Sequence, residues 1–556
     1  MLQEDVKHVY ATHEVENQPP PLENYNLFES DPVLVEGLRR EGAAWAEDRV
    51  DRLGALMGSA EIIEQGFLAN ENPPELHTHD RFGERIDEVR YHPAYHRLMT
   101  ISIEAQAHAL PWTEPQRGAH VARAISKQMI DQIEAGSGCP ITMTFAVVPA
   151  LRHQPEIAEV WIPRATSAQY DPRFIPADQK SGVIMGMAMT EKQGGSDVRS
   201  NTTRAVPLGP GGPGQEYELT GHKWFCSAPM SDAFLTLANT EVGLTCFLVP
   251  RFLPDGTKNR IYIQRLKDKL GNRSNASSEI EFCDTWGQML GEEGRGVATI
   301  LDMVSHTRLD CAVGTSALMR QAVAQAMHHT AHRSAFGKRL AQQPIMKNVL
   351  ADLAIESEAT TTNIICLAAA YDEAVNDPAR EHFVRLATAV TKYWVCKRAP
   401  HHIYEALECH GGLGYVEESI MPRLYREAPL SSIWEGSGNV MCLDVLRAMS
   451  RQPESVTAFV DELDKAKGGD KRLDAAVDAL RDTLSHADGI EEMHTRRLVE
   501  RMALALQGSY LVRHAPAFVA DAFCASRFDA GRGQEYGTLP AGLAFDEIIQ
   551  RATPTL

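Results

Sequence analysis

The residue best suited by type and setting to move a proton is Glu435, in the segment LSSIWEGSGNVMCLD at 430–444. It stands between Trp434 and Gly436 in an otherwise apolar stretch. A carboxylate desolvated by such neighbours has a raised pKa, which suits proton abstraction near neutral pH. The same EGSGN precedes an apolar run at 440–446 and reads equally well as a helix N-terminal cap. A second constellation is MTEKQGGSDVRSNTT, Met189 to Thr203, where Thr190 and Ser196 flank two adjacent glycines. Hydroxyls beside closely spaced backbone N–H groups bind an anion or the carbonyls of a ring; a tight, capped loop has the same composition. The third is GHKWFCSAPMSD, where one strand delivers Trp224, Phe225 and Ser227 to its end. A planar cofactor needs an aromatic face with a hydrogen bond beside it, and so would an ordinary core strand supply one.

Weaker marks carry bland readings. His328 and His332 are spaced i,i+4 on a helix, but no third ligand is evident, so a surface or interface role is expected and no metal site. Cys409 and His410 are adjacent, and neighbouring residues point apart. Ser137, at the helix end AGSGCP, is expected to cap, and Glu292–Glu293 to lie on a solvated face.

The elements that must position these residues follow from periodicity. A proline-rich, extended lead-in, ENQPPPLENYNLFESDP, precedes helix-like text. In RGAHVARAISKQMIDQIEAGSGCP, Val121, Ile125 and Ile130 fall near helical spacing. Residues 1–184 are therefore expected to be a lead-in and a helical domain. From 185 to 297 short β-branched and aromatic runs (EYELTGHKWFCSAP, FLTLANT, LTCFLVPRF, SSEIEFCD) alternate with turn residues, the pattern of a compact antiparallel, barrel-like β domain. GPGGPG at 209–214 is a surface turn. Residues 298–450 return to helix, with Met346, Leu350 and Leu353 on one face. Residues 451–556 form an extra helical block with stripes at Val456/Phe459/Val460/Leu463 and Leu473/Val477/Leu480/Leu484. The fold class is α+β, mainly α.

The chain has 556 residues, 44% of them hydrophobic, enough for several large cores. A formal charge of −19 argues against a general nucleic-acid binder and against a cationic membrane-surface protein. No stretch approaches a membrane span, and Met1–Tyr10 has no signal-peptide core. The ten cysteines stand singly with no CxxC pair, which is cytoplasmic usage.

Taken together and in this order, the three segments resemble the acyl-CoA dehydrogenase family. TEKQGGSD (190–197) is similar to its TEPxAGSD signature and GHKWFCSA (221–228) to GxKxWITN. RSAFGKRL (333–340), CHGGLGYVEES (409–419) and YREAPLSSIWEG (425–436) resemble RxxFGxPL, xxGGxGYxxE and YRDxxxxxIxEG. The likeness is closest to the AidB branch of bacterial DNA-alkylation-response proteins, through NPPELHTHDRFGERIDEVRYHPAYH (72–96), CPITMTFA (139–146) and SIWEGSGNVMCLDVLR (432–447). Departures include Lys192 for the proline of TEP, Ser227–Ala228 for threonine–asparagine, and Pro344 at the usual glutamine position.

The resemblance implies a fold of an N-terminal helical domain, a β domain, a second helical bundle and an extra C-terminal domain. It implies FAD as cofactor and a homotetramer. Met189 and Thr190 would meet the pyrimidine side of the flavin, Ser196 the diphosphate, and Phe225, Cys226 and Ser227 the isoalloxazine. Arg333 and Phe336, with Gly411, Gly412 and Gly414, would hold the adenine–diphosphate part of a cofactor in a neighbouring subunit. Ile433, Trp434, Gly436, Ser437 and Asn439 would wrap the cofactor from the other side. Glu435 matches the family base for α,β-dehydrogenation of an acyl-CoA; the alternative family position is Thr307, which cannot ionise. The branch implies a role in the response to DNA alkylation with non-specific binding of double-stranded DNA, and weak turnover of a short branched acyl-CoA. The alternative is an ordinary metabolic dehydrogenase for an unusual thioester with no nucleic-acid role. The block 451–556 counts 13 Lys+Arg against 17 Asp+Glu, with local clusters Lys465/Lys467/Lys471/Arg472 and Arg496/Arg497/Arg501.

Overall fold

The computed structural model describes residues 12–555 apart from 486–489, 530 and 532. Three helices start where the sequence supplies both a cap and a proline. Asp31, His92 and Asp377 each accept a hydrogen bond from the second residue on, with Pro32, Pro93 and Pro378 at the first helical position. The N-terminal part holds α1 (Pro32–Arg40), α2 (Glu47–Met57), α3 (Ala60–Glu71), α4 (Pro93–Glu104), α5 (Leu110–Thr113), α6 (Ala119–Ile133), α7 (Gly138–Leu151) and α8 (Pro155–Ala165). It is not all helix. A hairpin of β1 (Glu75–His79) and β2 (Arg85–Arg90) interrupts it, turned by Asp80, whose carboxylate accepts from the N–H of Phe82 and of Glu84. Asp-x-x-Gly between two charged runs was the signal for that turn.

The β domain comprises β3 (Met185–Ala188), β4 (Arg204–Pro207), β5 (Glu216–Ser227), β6 (Ala233–Asn239), β7 (Leu244–Pro250), β8 (Ile261–Leu266) and β9 (Ser277–Leu290). β5, β9, β7 and β6 pair antiparallel in turn, and β4 joins β5 to β6, so the sheet closes on itself. The closure is not wholly antiparallel, because β3 and β4 both run parallel to β6. Closure removes strand edges, and the inward residues Leu219, Phe234, Phe247, Ile280 and Phe282 fill the interior.

α9 (Gly296–His332) follows, at 37 residues about 55 Å long. It runs beside α6, α7, α10 (Pro344–Ala374) and α11 (Pro378–Glu408) and ties the two helical regions together. A small hairpin, β10 (Ser334–Ala335) with β11 (Lys338–Arg339), follows α9. α12 (Met421–Glu427) and α13 (Gly438–Arg451) complete this region. A buried ion pair, Arg123 on α6 to Asp310 on α9 at 2.5 and 2.6 Å, crosses the centre, and Thr142 of α7 donates to Asp310 at 2.7 Å.

The last block adds α14 (Pro453–Asp464), α15 (Lys471–Ser485), α16 (Thr495–His514), α17 (Ala517–Arg527) and α18 (Phe545–Ala552). Its apolar stripes do not form a separate core. Phe459, Leu463, Leu473, Val477 and Met502 lie in one cluster with Phe383, Leu386 and Val390 of α11. Glu462 is the ionic pin of that seam, taking Arg380 of α11, Lys465 and Arg513 of α16, each at 2.7 Å. Among the described residues, no helix is long and apolar enough to cross a membrane.

Candidate active site

Glu435 lies in the loop between α12 and α13 with φ +56, followed by Gly436 at +99. A left-handed glutamate costs about 1–2 kcal/mol, so its surroundings must hold it there. They do so through three successive carbonyls. Lys392, buried on α11, donates to the carbonyl of Trp434 at 2.8 Å and of Gly436 at 2.5 Å. Arg308 of α9 donates to the carbonyl of Glu435 at 3.1 Å. Arg308 is itself fixed by Asp444 at 2.8 Å, and Arg385 grips both oxygens of that carboxylate.

The side chain is equally committed. Thr307 donates to Glu435 Oε2 at 2.5 Å. Burial pushes the carboxyl above its ordinary pKa; the Thr307 hydroxyl, Arg308 and Lys392 pull the other way without cancelling it. The helix-cap reading of Glu435 fails on this geometry. α13 has Ser437 at its cap position with no side-chain cap bond, and the Glu435 carboxylate bonds to another helix.

The other two motifs converge on this loop. The N–H of Trp224 donates to the carbonyl of Thr190 at 2.8 Å, which sets the end of β5 against the TEKQGGSD loop. That loop is organised by Glu191, fully buried, which accepts from the Thr202 N–H at 2.7 Å, the Thr203 hydroxyl at 2.6 Å and Lys223 Nζ at 2.9 Å. Burial alone would raise its pKa, yet Lys223 and those donors outweigh burial and hold it well below the carboxylate range. Gly195 is required here, since a Cβ would stand 2.3 Å from Thr190 Oγ1. Ser227 shares a hydrogen bond with Ser277 at 3.1 Å. The Cys139 thiol, at the start of α7, is buried, and burial pushes it up to about 11 while the Lys269 charge and the Ser227 hydroxyl pull the other way. Trp434 packs in one apolar cluster with Met187 and Met189, joining the loop of Glu435 to the first motif.

Strand alternation sorts the second motif. Phe225 is 49% exposed, whereas Cys226 is fully buried inside the barrel, so Cys226 presents only backbone to the site. Ile433 is exposed, Gly438 is buried, and Asn439 accepts from Arg496 of α16 at 2.9 Å. Ser196 is on the exposed outer turn of its loop.

Arg333, Phe336, Gly411, Gly412 and Gly414 form a second group far away. Arg333 is 25 residues beyond Arg308 on α9, about 38 Å along the helix axis. Phe336 is 99% exposed. Arg333 donates to the carbonyl of Asn17 in the lead-in at 2.6 Å. Gly411 and Gly412 face open space, but Gly414 is buried where a Cβ would stand 2.4 Å from the Leu407 carbonyl, so that glycine serves local packing. One chain therefore does not bring both groups to the same end of one ligand.

Three weaker marks are placed by the structure. His328 is not a surface residue; it is buried and bonds the Pro20 carbonyl at 2.8 Å, while His332 Nδ1 meets the His328 carbonyl. Ser137 serves the end of α6, where its hydroxyl donates to the carbonyl of the cap residue Glu134, and makes no side-chain cap bond to α7. The Cys409 thiol is buried, and burial pushes it up to about 12, while His410 bonds the Ala406 carbonyl. Lys392 and Cys139 were not singled out in sequence. A lysine inside the apolar run ATAVTKYWV was the available signal for the first; Cys139 had none.

The residues present fit a flavin dinucleotide. Trp434 Nε1 is buried without an acceptor among the described residues, and hydroxyls of Thr190 and Ser227 stand near the apolar faces of Met189 and Phe225. A helical domain, a closed β domain and a helical bundle carrying a desolvated glutamate beside them define the acyl-CoA dehydrogenase class of oxidoreductase. Models of the family match at residues 186–285 (acyl-CoA dehydrogenase, middle domain) and 294–450 (acyl-CoA dehydrogenase, C-terminal domain). Residues 17–172 match the adaptive response protein AidB N-terminal domain. The AidB protein of Escherichia coli is 47% identical over 526 residues, covering 94% of this chain and 96% of that one. The chain belongs to the acyl-CoA dehydrogenase family, in its AidB branch. The solved structure of Caenorhabditis elegans ACDH-11 in complex with C11-CoA superposes with a TM-score of 0.85 at 26% identity, over 94% of this chain and 95% of that one. Cyclohex-1-ene-1-carbonyl-CoA dehydrogenase of Syntrophus aciditrophicus is 30% identical over 50% of this chain and 64% of its own.

Proposed function

We propose that this protein is an FAD-dependent oxidoreductase that removes the α-proton of a short branched acyl thioester with Glu435 as base, and that it serves the response to DNA alkylation. The observation that carries the chemistry is the Glu435 carboxylate, desolvated, tied at Oε2 by Thr307 and fixed through its own backbone by Arg308 and Lys392. A thioester carbonyl acidifies its α-carbon, and the ionised carboxylate takes that proton at Oε1, the oxygen Thr307 leaves open. Thr190, Ser227 and Trp434 Nε1, with Met189, Phe225, Ile433 and the backbone of Cys226, Gly436 and Ser437, would hold the isoalloxazine side of FAD and Ser196 its diphosphate, and bound FAD supplies the acceptor for the β-hydrogen. Arg333, Phe336, Gly411 and Gly412 would serve the cofactor of a second copy, in keeping with the distance between the two groups and with a homotetramer.

The test is an anaerobic screen of acyl-CoA thioesters for bleaching of the flavin absorbance. Bleaching by a short branched thioester supports the reading; bleaching only by some other, unusual thioester, with no binding of duplex DNA, favours an ordinary metabolic dehydrogenase. No bleaching by any thioester rejects the dehydrogenase chemistry. The alkylation-response role rests on the likeness to AidB. Double-stranded DNA is the expected partner, bound through phosphates and therefore weakened steeply by salt. The C-terminal surface favours modest affinity, because Lys465, Arg472, Arg481 and Arg513 are already paired with acids while Arg497 is exposed. Titration of duplex DNA at two salt concentrations tests this, and no binding at low salt disposes of it.

A further inference from the structure

A cavity of about 400 Å³ lies between the β1–β2 hairpin, α4, the loop at 170–174 and the end of β5. That volume is within the range of small-molecule sites. Its walls are aromatic. Tyr91 and Tyr95 stack with centroids 4.3 Å apart, His96 is hydrogen-bonded to the Tyr170 hydroxyl at 2.9 Å, and Phe174 closes one side. Met99 and Met230 add adaptable apolar surface. Such walls suit a flat ring over a branched or flexible chain.

The polar groups at the base define the rest of the ligand. Lys180 Nζ and Asp232 Oδ1 pair at 2.7 Å with side chains only 4% and 8% exposed. The other Asp232 oxygen accepts from the Ile184 N–H at 2.9 Å, so this carboxylate is engaged on both oxygens. Ser231, 2% exposed, lines the cavity with a buried hydroxyl that has no partner among the described residues. Behind Asp232, bonded through its backbone N–H to the Asp232 carbonyl, is Arg251. It is 2% exposed, and none of its three guanidinium nitrogens has a hydrogen-bond acceptor among the described residues. The Phe174 and Phe234 rings are its near neighbours, 5.8 and 5.4 Å from the guanidinium carbon. A buried guanidinium without an acceptor is costly.

The remaining charges near the cavity are three carboxylates against four cations. Glu88 pairs with Arg90, Asp171 with Arg173, and Asp87 with Arg85 and Lys258. Lys180 pairs with Asp232, and Arg251 lies in the field of Asp87 and Asp232 without a hydrogen bond to either, so the base of the cavity carries an excess positive charge. This arrangement is separate from the Glu435 loop, yet Pro140 and Ala228 on the cavity wall are the chain neighbours of Cys139 and Ser227 at that site.

We propose that this cavity is a binding site for a small aromatic carboxylate, its ring lying against the Tyr91–Tyr95 stack and its carboxylate accepting from Ser231 beside Lys180, with the Arg251 charge behind the wall. The probes are 4-fluorobenzoate, its neutral isostere 4-fluorobenzamide, and 4-fluorobenzylamine, followed by fluorine NMR on the purified full-length protein. Fluorobenzoate should bind saturably, at least about tenfold tighter than the amide, as loss of a charge-assisted contact leads one to expect. Fluorobenzylamine should not compete. Met230→Trp, which fills the cavity, should abolish binding, and the milder Ser231→Ala should weaken it several-fold with an unchanged melting temperature. A saturating acyl-CoA should leave the fluorobenzoate signal in place, which separates this site from the one at Glu435. The inference is overturned if the acid and the amide bind alike, if no saturable binding of the acid appears, or if both variants bind as the parent does.

Discussion

At the scale of single residues, the glutamate at 435 is defined by what holds it. Its φ of +56 and its raised pKa are both unfavourable in isolation, and both are sustained by groups on α9 and α11. Glu435→Gln keeps the shape and a hydrogen-bonding group but removes the base. Stopped-flow reduction of the flavin by a reactive acyl-CoA should slow by about 10²–10⁴-fold, with FAD still bound. An unchanged rate would place the base elsewhere. Thr307 gives a second, finer prediction. Its hydroxyl favours the ionised carboxylate, so Thr307→Ala should raise the Glu435 pKa further. The base acts only when ionised, so the acid limb of the pH–rate profile should move to higher pH, with the plateau at alkaline pH little altered. A limb that stays in place, or moves down, would show that the hydroxyl does not tune this carboxylate.

At the scale of elements, the C-terminal helices are held to the bundle by a shared apolar seam and by Glu462. Burial pushes that carboxyl up, but Lys465, Arg513 and Arg380 prevail and bring it down to about 2. A folded pKa below the unfolded value means stability that is present above about 4.5 and lost as pH falls toward about 2. Acid should therefore loosen α14 and α16 from α11. Hydrogen exchange of those helices should rise across this window in the parent. Glu462→Gln should cost about 1–3 kcal/mol at neutral pH, since it takes the carboxylate from Arg513 while Arg380 keeps Glu373 and Lys465 is half exposed, and should flatten the acid dependence. Equal protection at pH 7 and pH 3 in the parent would count against the ionic pin.

At the scale of the whole molecule, the proposed sharing of a cofactor between copies rests on the fully exposed Phe336 and on the separation of about 38 Å along α9. Phe336→Asp should give a smaller species in sedimentation and lower flavin occupancy together. Loss of flavin with no change in mass, or the reverse, would uncouple the two. The acidic balance of the chain, −19 overall, makes any duplex-DNA contact a local matter of side chains such as Arg497 and not of bulk charge.

The sequence by itself determined the order of helical, β and helical regions, because the change from helical to alternating spacing is local and every strand of the closed sheet has its own turn residues. It also carried the family, because the TEKQGGSD, GHKWFCSA and SSIWEG segments are contiguous. What only the tertiary structure decided was which long-range partners meet. Glu435 as cap or base stayed open in sequence because its partners, Thr307, Arg308 and Lys392, lie on two other helices. Cys226 looked equivalent to Phe225 and Ser227 until the barrel fixed which face turns inward. His328 seemed a surface residue because the chain that buries it is the lead-in, some three hundred residues earlier. Periodicity reports which face of an element is apolar. It carries no information about which distant segment covers that face, and that pairing is where this site is made.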